Sequence, residues 1–329
     1  MAITVLTESE LRRSVDLDRS AVDIVAEGFR ALARDQAVMP PVLSMAMDDR
    51  HGEVDVKTAY VRGLEMFAIK VSSGFFDNPK LGLPSLSGMM TLFSSETGRV
   101  QAVLLDNGYL TDLRTAAAGA LAADLLAPQS VGTAGVIGTG LQARLQMRAL
   151  HLVRPFRRLL VWGRHSANAE EYAENLRGEL GTEIDVAASA EEVVRHSEVV
   201  VTTTPSQRPL IEAGWLHPGL HITAMGSDAE GKNELDPQVI ARADRFVCDR
   251  RSQSAAIGEL RAAIADGAVA EDFACDEVGA ISAGMKPGRR ADDEVTVCDL
   301  TGTGVQDTAI ALYAYRRATE AGYGTFINA

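Results

Sequence analysis

The segment Gly135-Val136-Ile137-Gly138-Thr139-Gly140-Leu141-Gln142-Ala143 has the G-x-G-x-x-G/A form of a dinucleotide-binding turn. An apolar run from Val131 to Ile137 feeds it, and a helix-compatible stretch follows. Glycines at such a turn let a strand reverse sharply and let the backbone approach a pyrophosphate, whose charge is held by the helix N-terminus. Gly138, Thr139, Gly140, Leu141, Gln142 and Ala143 are therefore the candidate cofactor contacts. The same pattern also serves as a plain strand-to-helix turn, so its flanks decide. Its position is equally informative. Residues 1–134 of 329 precede it, so the nucleotide module is the second one and another part of the chain supplies the substrate pocket.

The flanks favour a nucleotide fold. Arg158-Leu159-Leu160-Val161-Trp162 reads as the next strand, and residues 198–204 and 221–225 are further short apolar runs ending in small or polar side chains. Helix-like stretches lie between them, at Ala167–Leu180 and Ala190–His196. Strands alternating with helices predict an α/β architecture with a Rossmann-like, doubly wound parallel sheet.

The 45 acidic against 32 basic side chains leave a formal charge of −13, spread along the chain. Without a basic stripe, nucleic acid and anionic membranes are poor partners. No run is apolar enough for a signal peptide or a membrane span, which points to the cytoplasm. Cys248, Cys275 and Cys298 are too few and too scattered for a disulfide frame, and neither they nor the six histidines have metal-ligand spacing.

Before the glycine turn the pattern changes. Leu6–Leu32 reads as helical, with Thr7 and Glu10 spaced as a capping box. Asp55–Tyr60 and Glu65–Ser72 read as strands. Ser87–Phe93 and Arg99–Asp106 form a hairpin around Ser95-Glu96-Thr97-Gly98. Thr111–Leu126 is a helix with Ala and Leu on one side, stopped by Pro128, and Asp307–Glu320 is a final helix. Residues 1–126 are thus expected to form an α+β domain with a largely antiparallel sheet, for substrate binding and dimerisation. The helix-containing tail 303–329 returns to it, and 127–302 form the nucleotide-binding domain.

The end of the second strand discriminates between cofactors. An acid there binds the ribose hydroxyls of NAD, whereas a base accommodates the 2′-phosphate of NADP. The chain reads Trp162-Gly163-Arg164-His165-Ser166, with glycine at the acid's position. Arg164 and His165 are candidate phosphate contacts, which favours NADP over NAD; the alternative is a solvated surface arginine.

Three clusters carry ionisable groups. Lys70 lies inside the apolar strand Phe67–Ser72, either edge-facing and solvated or turned into a cavity. Arg114 sits in a helix start, where the macrodipole disfavours a cation, so it either meets an anion or pairs with Asp112. Residues 224–234 lie beyond the carboxyl end of a predicted parallel strand, where open sheets bind ligands. Asp228 there is either an acid/base group beside a nicotinamide, with Lys232 orienting it, or part of an Asx turn.

These clusters carry a family resemblance. Residues 54–60, 68–79, 104–118, 136–143, 223–230 and 299–307, in this order and spacing, resemble the ornithine cyclodeaminase/mu-crystallin family over essentially the whole chain, and most closely its ectoine-utilization branch. The resemblance implies that Lys70 and Arg114 hold a substrate carboxylate, with Lys57 and Lys232 completing the substrate-binding set. It makes Asp228 and Lys70 the catalytic residues, Asp228 acting as the acid/base group. Thr202, Thr203, Met225 and Gly226 line the nicotinamide side, and the chain forms a homodimer through its first domain.

The implied chemistry is hydride exchange at the Cα of a small amino or imino acid. Its net outcome is cyclodeamination, imine reduction or amino-acid dehydrogenation, on a substrate derived from ectoine or hydroxyectoine. A non-catalytic NADP and small-ligand binder of mu-crystallin type is the alternative from another class. One departure stands out. The family's arginine after a proline near the first strand is missing from Met39-Pro40-Pro41-Val42-Leu43, which sets this chain apart from ornithine as substrate.

Overall fold

A computed structural model describes residues 2–328, which divide into two compact units: residues up to Thr115 together with those from Thr303 onward, and Ala116–Gly302. The division falls inside one continuous helix, Tyr109–Leu126.

The first unit is built on a mixed, mostly antiparallel sheet. Strands Gly52–Val61, Met66–Phe75, Leu86–Ser94 and Val100–Leu105 run as successive antiparallel neighbours. Ala2–Thr7 adds parallel to Val100–Leu105, and Thr325–Asn328 pairs antiparallel with Ala2–Thr7 at the edge. Helix Gly304–Glu320 packs on strands Gly52–Val61 and Met66–Phe75 and on helix Arg19–Ala33. Thr308 stitches it down: its hydroxyl donates to the Ala59 carbonyl at 2.8 Å and accepts from the Ala68 amide at 3.1 Å.

The second unit is an eight-stranded parallel sheet. Its spatial order is Glu183–Val186, Arg158–Trp162, Thr133–Ile137, Val199–Thr202, His221–Ala224, Thr296–Asp299, Arg245–Cys248, Asp276–Glu277. The order reverses between Thr133–Ile137 and Val199–Thr202. Such a switch point opens a crevice at the strands' carboxyl ends, and the glycine turn stands at that crevice. The inner strands are buried on both faces, hence their apolar runs rather than alternation.

Two expectations from sequence need correction. The stretch 6–32 is not one helix: Ala2–Thr7 is a strand, followed by helices Glu8–Ser14 and Arg19–Ala33. The β-branched alternation of Ile3-Thr4-Val5 favours the strand. Asp18 restarts the helix by accepting the Ala21 amide at 2.9 Å, while Thr7 and Glu10 do form a capping box. Helix Tyr109–Leu126 also starts two residues earlier than its pattern suggested. It is buried on nearly all sides between Ala116 and Ala123 rather than along one stripe.

Candidate active site

In the first unit the fold concentrates positive charge where water does not reach. Lys57 and Lys70 face each other across the ladder between strands Gly52–Val61 and Met66–Phe75, and Met90 flanks Lys70 on the other side. Lys70 is 1% exposed, Lys57 6% and Arg114 6%. Lys70 is thus turned inward, not toward an edge. Like charges directly opposite destabilise a sheet, and buried charges are costly, so packing alone gives no reason for this arrangement.

One carboxylate pairs with two of these cations. Asp307, fully buried near the start of helix Gly304–Glu320, places Oδ1 3.1 Å from Lys70 Nζ and 3.0 Å from Arg114 Nε. A capping box between Thr303 and Gln306 fixes the helix start just before it. Gly304 allows the close approach, since a Cβ there would lie 2.2 Å from the Thr58 carbonyl oxygen. Burial, reinforced by Arg114, outweighs Asp307 and brings the Lys70 pKa down to about 7. Burial alone would push the Asp307 carboxyl up, but Lys70 and Arg114 hold it below its ordinary value. Nearby, burial raises Asp106 to about 6 although it accepts the Leu110 amide at 2.8 Å.

In the second unit, the glycine turn has the shape a dinucleotide needs. Gly138 has φ +124°, and a Cβ there would stand 2.4 Å from Thr203 Oγ1. A Cβ on Gly140 would meet nothing within 4 Å, and Gly140 begins helix Leu141–Val153 without any side-chain cap. Those first-turn amides suit a pyrophosphate. Leu141 is exposed, Gln142 half-buried and Ala143 buried.

Arg164 and His165 are exposed between Trp162 and helix Ser166–Leu180. No carboxylate forms an ion pair with Arg164 among the described residues.

At the next strand ends, Met225 is buried and the Thr202 hydroxyl is donated to Glu234 at 2.6 Å. Thr202 therefore shapes this wall through its backbone, while Thr203 lies against Gly138. The turn that follows is closed by two contacts, Ser227 Oγ donating to the Lys232 carbonyl at 2.9 Å and Lys232 Nζ to Asp228 Oδ1 at 2.7 Å. The Asp228 side chain is 46% exposed.

Asp307 and Glu234 escaped the sequence reading. Each sits in a segment picked out for other reasons, and burial of a lone carboxylate leaves no periodic trace; the Thr303-x-x-Gln306 box before Asp307 was the one local signal.

A Rossmann-like sheet with a dinucleotide turn, in a chain that also carries a buried cationic cluster, defines a nicotinamide-dependent enzyme class. The chain belongs to the ornithine cyclodeaminase/mu-crystallin family, whose model matches residues 2–322. It is an enzyme of the cyclodeaminase-like lyase or imino-acid reductase kind.

An uncharacterized cyclodeaminase of Sinorhizobium fredii is 54% identical, over 98% of each chain. Among solved structures, the Δ1-pyrroline-2-carboxylate reductase of Thermococcus litoralis, in complex with NADH and L-proline, superposes with a TM-score of 0.93 at 29% identity, covering 99% of this chain and 100% of that one. An archaeal alanine dehydrogenase dimer with bound NAD gives 0.92 at 33% identity, covering 100% and 99%.

Proposed function

We propose that the protein is an NADP-preferring enzyme that interconverts a small 2-imino acid and its amino acid. The observation that carries this reading is the buried cationic cluster in the first unit: Lys70 and Arg114 share one carboxylate oxygen of Asp307, and Lys57 lies buried opposite Lys70. A substrate carboxylate supplies a further anion for Lys70 and Arg114. Arg114 offers it a planar fork and Lys70 a point charge. Asp307 keeps both cations in place without neutralising them.

When bound, the nicotinamide supplies hydride exchange at the substrate Cα. The residues that hold it are Gly138–Ala143 at the pyrophosphate and Thr203, Met225 and Gly226 beyond. Arg164 and His165 meet the 2′-phosphate, because the strand end carries glycine where an acid would favour NAD. Asp228 gives a proton to the imine nitrogen in reduction and takes it back in the reverse direction, with Lys232 setting its orientation.

Imine reduction is the favoured net direction, since the relatives solved with cofactor include a pyrroline-carboxylate reductase and an iminosuccinate reductase. The Sinorhizobium relative's name supports cyclodeamination as the second reading. The likeness to the ectoine-utilization branch favours a diaminobutyrate-like substrate in either case. A homodimer fits the exposed apolar side chains of the first unit, among them Leu43, Met45, Leu86 and Met89.

The test is purified protein with NADPH and Δ1-pyrroline-2-carboxylate or a diaminobutyrate-derived imine, following cofactor absorbance and ammonia together. Loss of absorbance without ammonia supports reduction. Ammonia from a diamino acid without net cofactor change supports cyclodeamination. Cofactor binding with neither product supports a binding protein of the mu-crystallin type.

A further inference from the structure

Beneath the carboxyl ends of the parallel strands lie four buried carboxylates, Glu234, Asp249, Glu259 and Asp299. Among the described residues none of them forms an ion pair. They are satisfied instead by amides and neutral side chains. Glu234 accepts the Thr202 hydroxyl at 2.6 Å, the Thr204 amide at 2.6 Å, the Thr204 hydroxyl at 2.7 Å and the Gly226 amide at 2.8 Å.

Glu259 holds the segment that bears Glu234. Its carboxylate accepts the Asn233 side-chain amide at 2.6 Å and the backbone amides of Glu234 and Leu235 at 2.8 and 3.1 Å. The Glu259 amide in turn donates to Asp299 at 2.9 Å, and Asp299 also accepts the Ser254 hydroxyl. Asp249 gathers the Thr301 and Gly302 amides at 2.7 and 2.8 Å. Burying charge without a counter-ion is a poor way to gain stability. It is an effective way to fix backbone amides, because a carboxylate accepts up to four bonds in set directions.

We propose that Glu234 is a positioning residue for the nicotinamide half of the cofactor, an inference that rests on the dinucleotide reading above. Its single carboxylate ties the backbone after strand Val199–Thr202 to the backbone after strand His221–Ala224. It lies six residues beyond Asp228, in the same turn. Gly226 makes the junction tight: a Cβ there would fall 2.1 Å from the Thr204 carbonyl oxygen and 2.6 Å from the Glu234 carboxylate. Thr202–Thr204, Gly226 and the Asp228 turn therefore move as one piece. The pyrophosphate and adenosine contacts, at Gly138–Ala143 and Arg164, take no bond from Glu234.

The experiment compares Glu234→Gln with the native enzyme for two ligands, NADPH and 2′-phospho-ADP-ribose, which lacks the nicotinamide. Glutamine keeps the shape but turns one acceptor into a donor that faces the Thr204 amide or the Gly226 amide, since each carboxylate oxygen accepts one of them. The expected result is about a tenfold loss of NADPH affinity with the fragment's affinity unchanged. The kinetic isotope effect with 4-deuterated NADPH, read on pyrroline-2-carboxylate, should also change.

Equal losses for both ligands would make Glu234 a purely structural residue, and no loss for either would remove it altogether. Failure of the native protein to bind either ligand would overturn the dinucleotide reading itself. Should Glu234→Gln fail to fold, Thr204→Val deletes one donor to the same carboxylate and carries the same expectation in weaker form.

Discussion

Lys57 and Lys70 stand directly opposite each other on adjacent antiparallel strands, both nearly closed to solvent, and Asp307 reaches Lys70 at 3.1 Å from the helix above. The pairing opposes every rule of sheet stability. It makes sense as an anion site kept partly unneutralised, and from that follow contrasting effects of substitution.

Asp307→Asn should be the most damaging change in the first unit. It removes the carboxylate and leaves buried cations facing one another, a loss of about 3–5 kcal/mol. Lys70→Met removes one cation from the cluster and should leave stability unchanged or raised while abolishing productive substrate binding. Denaturant unfolding of both variants at pH 7, alongside kcat/KM, checks the contrast. Similar destabilisation by both would show that Lys70 is held as a structural ion pair.

The lowered pKa of Lys70 has a defined pH signature. The unfolded chain keeps this proton up to the ordinary lysine value of 10.5, whereas the folded protein releases it at about 7. Between the two values the unfolded state binds more protons, so Lys70 makes stability rise with pH over that window, and its penalty is complete below about 7. Substrate capture should run the other way. It needs the charged lysine, so kcat/KM should fall above about pH 7 with KM rising, and the inflection should vanish in Lys70→Met.

Arg164→Ala should cost roughly 10- to 100-fold in NADP affinity, the worth of a charge-assisted phosphate contact, and leave NAD affinity unchanged. Equilibrium titration with both cofactors reads this directly. Unaltered NADP binding would return Arg164 to the role of a solvated surface residue.

Asp228→Asn keeps size and removes the proton. Turnover should fall by about 10²–10⁴, the usual worth of a general acid, while cofactor affinity stays within a factor of about two. Retained turnover would take Asp228 out of the chemistry.

Much of the framework was legible in the chain itself. Arg158–Trp162 read as a strand to the residue, because Leu159, Leu160 and Val161 form the unbroken apolar run that burial on both faces requires. The hairpin around Ser95–Gly98 declared itself through its turn. The first thirty-odd residues were misread because the Thr7–Glu10 capping box announces a helix and Val22, Val25, Ala26 and Phe29 continue one, while the break at Val15–Asp18 depends on one capping aspartate.

Lys70 and Arg114 were visible as charges in apolar surroundings, yet their common partner was not. Asp307 lies more than 190 residues from Arg114, and only the return of the last helix to the first unit joins them. Glu234 was hidden for the same reason: its four donors belong to Thr202, Thr204 and Gly226, at the ends of two different strands.

The most direct measurement is isothermal titration of the NADPH-bound protein with a non-reducible carboxylate such as L-proline, using native protein and the Arg114→Met and Lys70→Met variants. If the buried cations form the substrate carboxylate site, the native complex binds and each variant loses about tenfold or more, the worth of a charge-assisted hydrogen bond. Equal binding by all three proteins would contradict it.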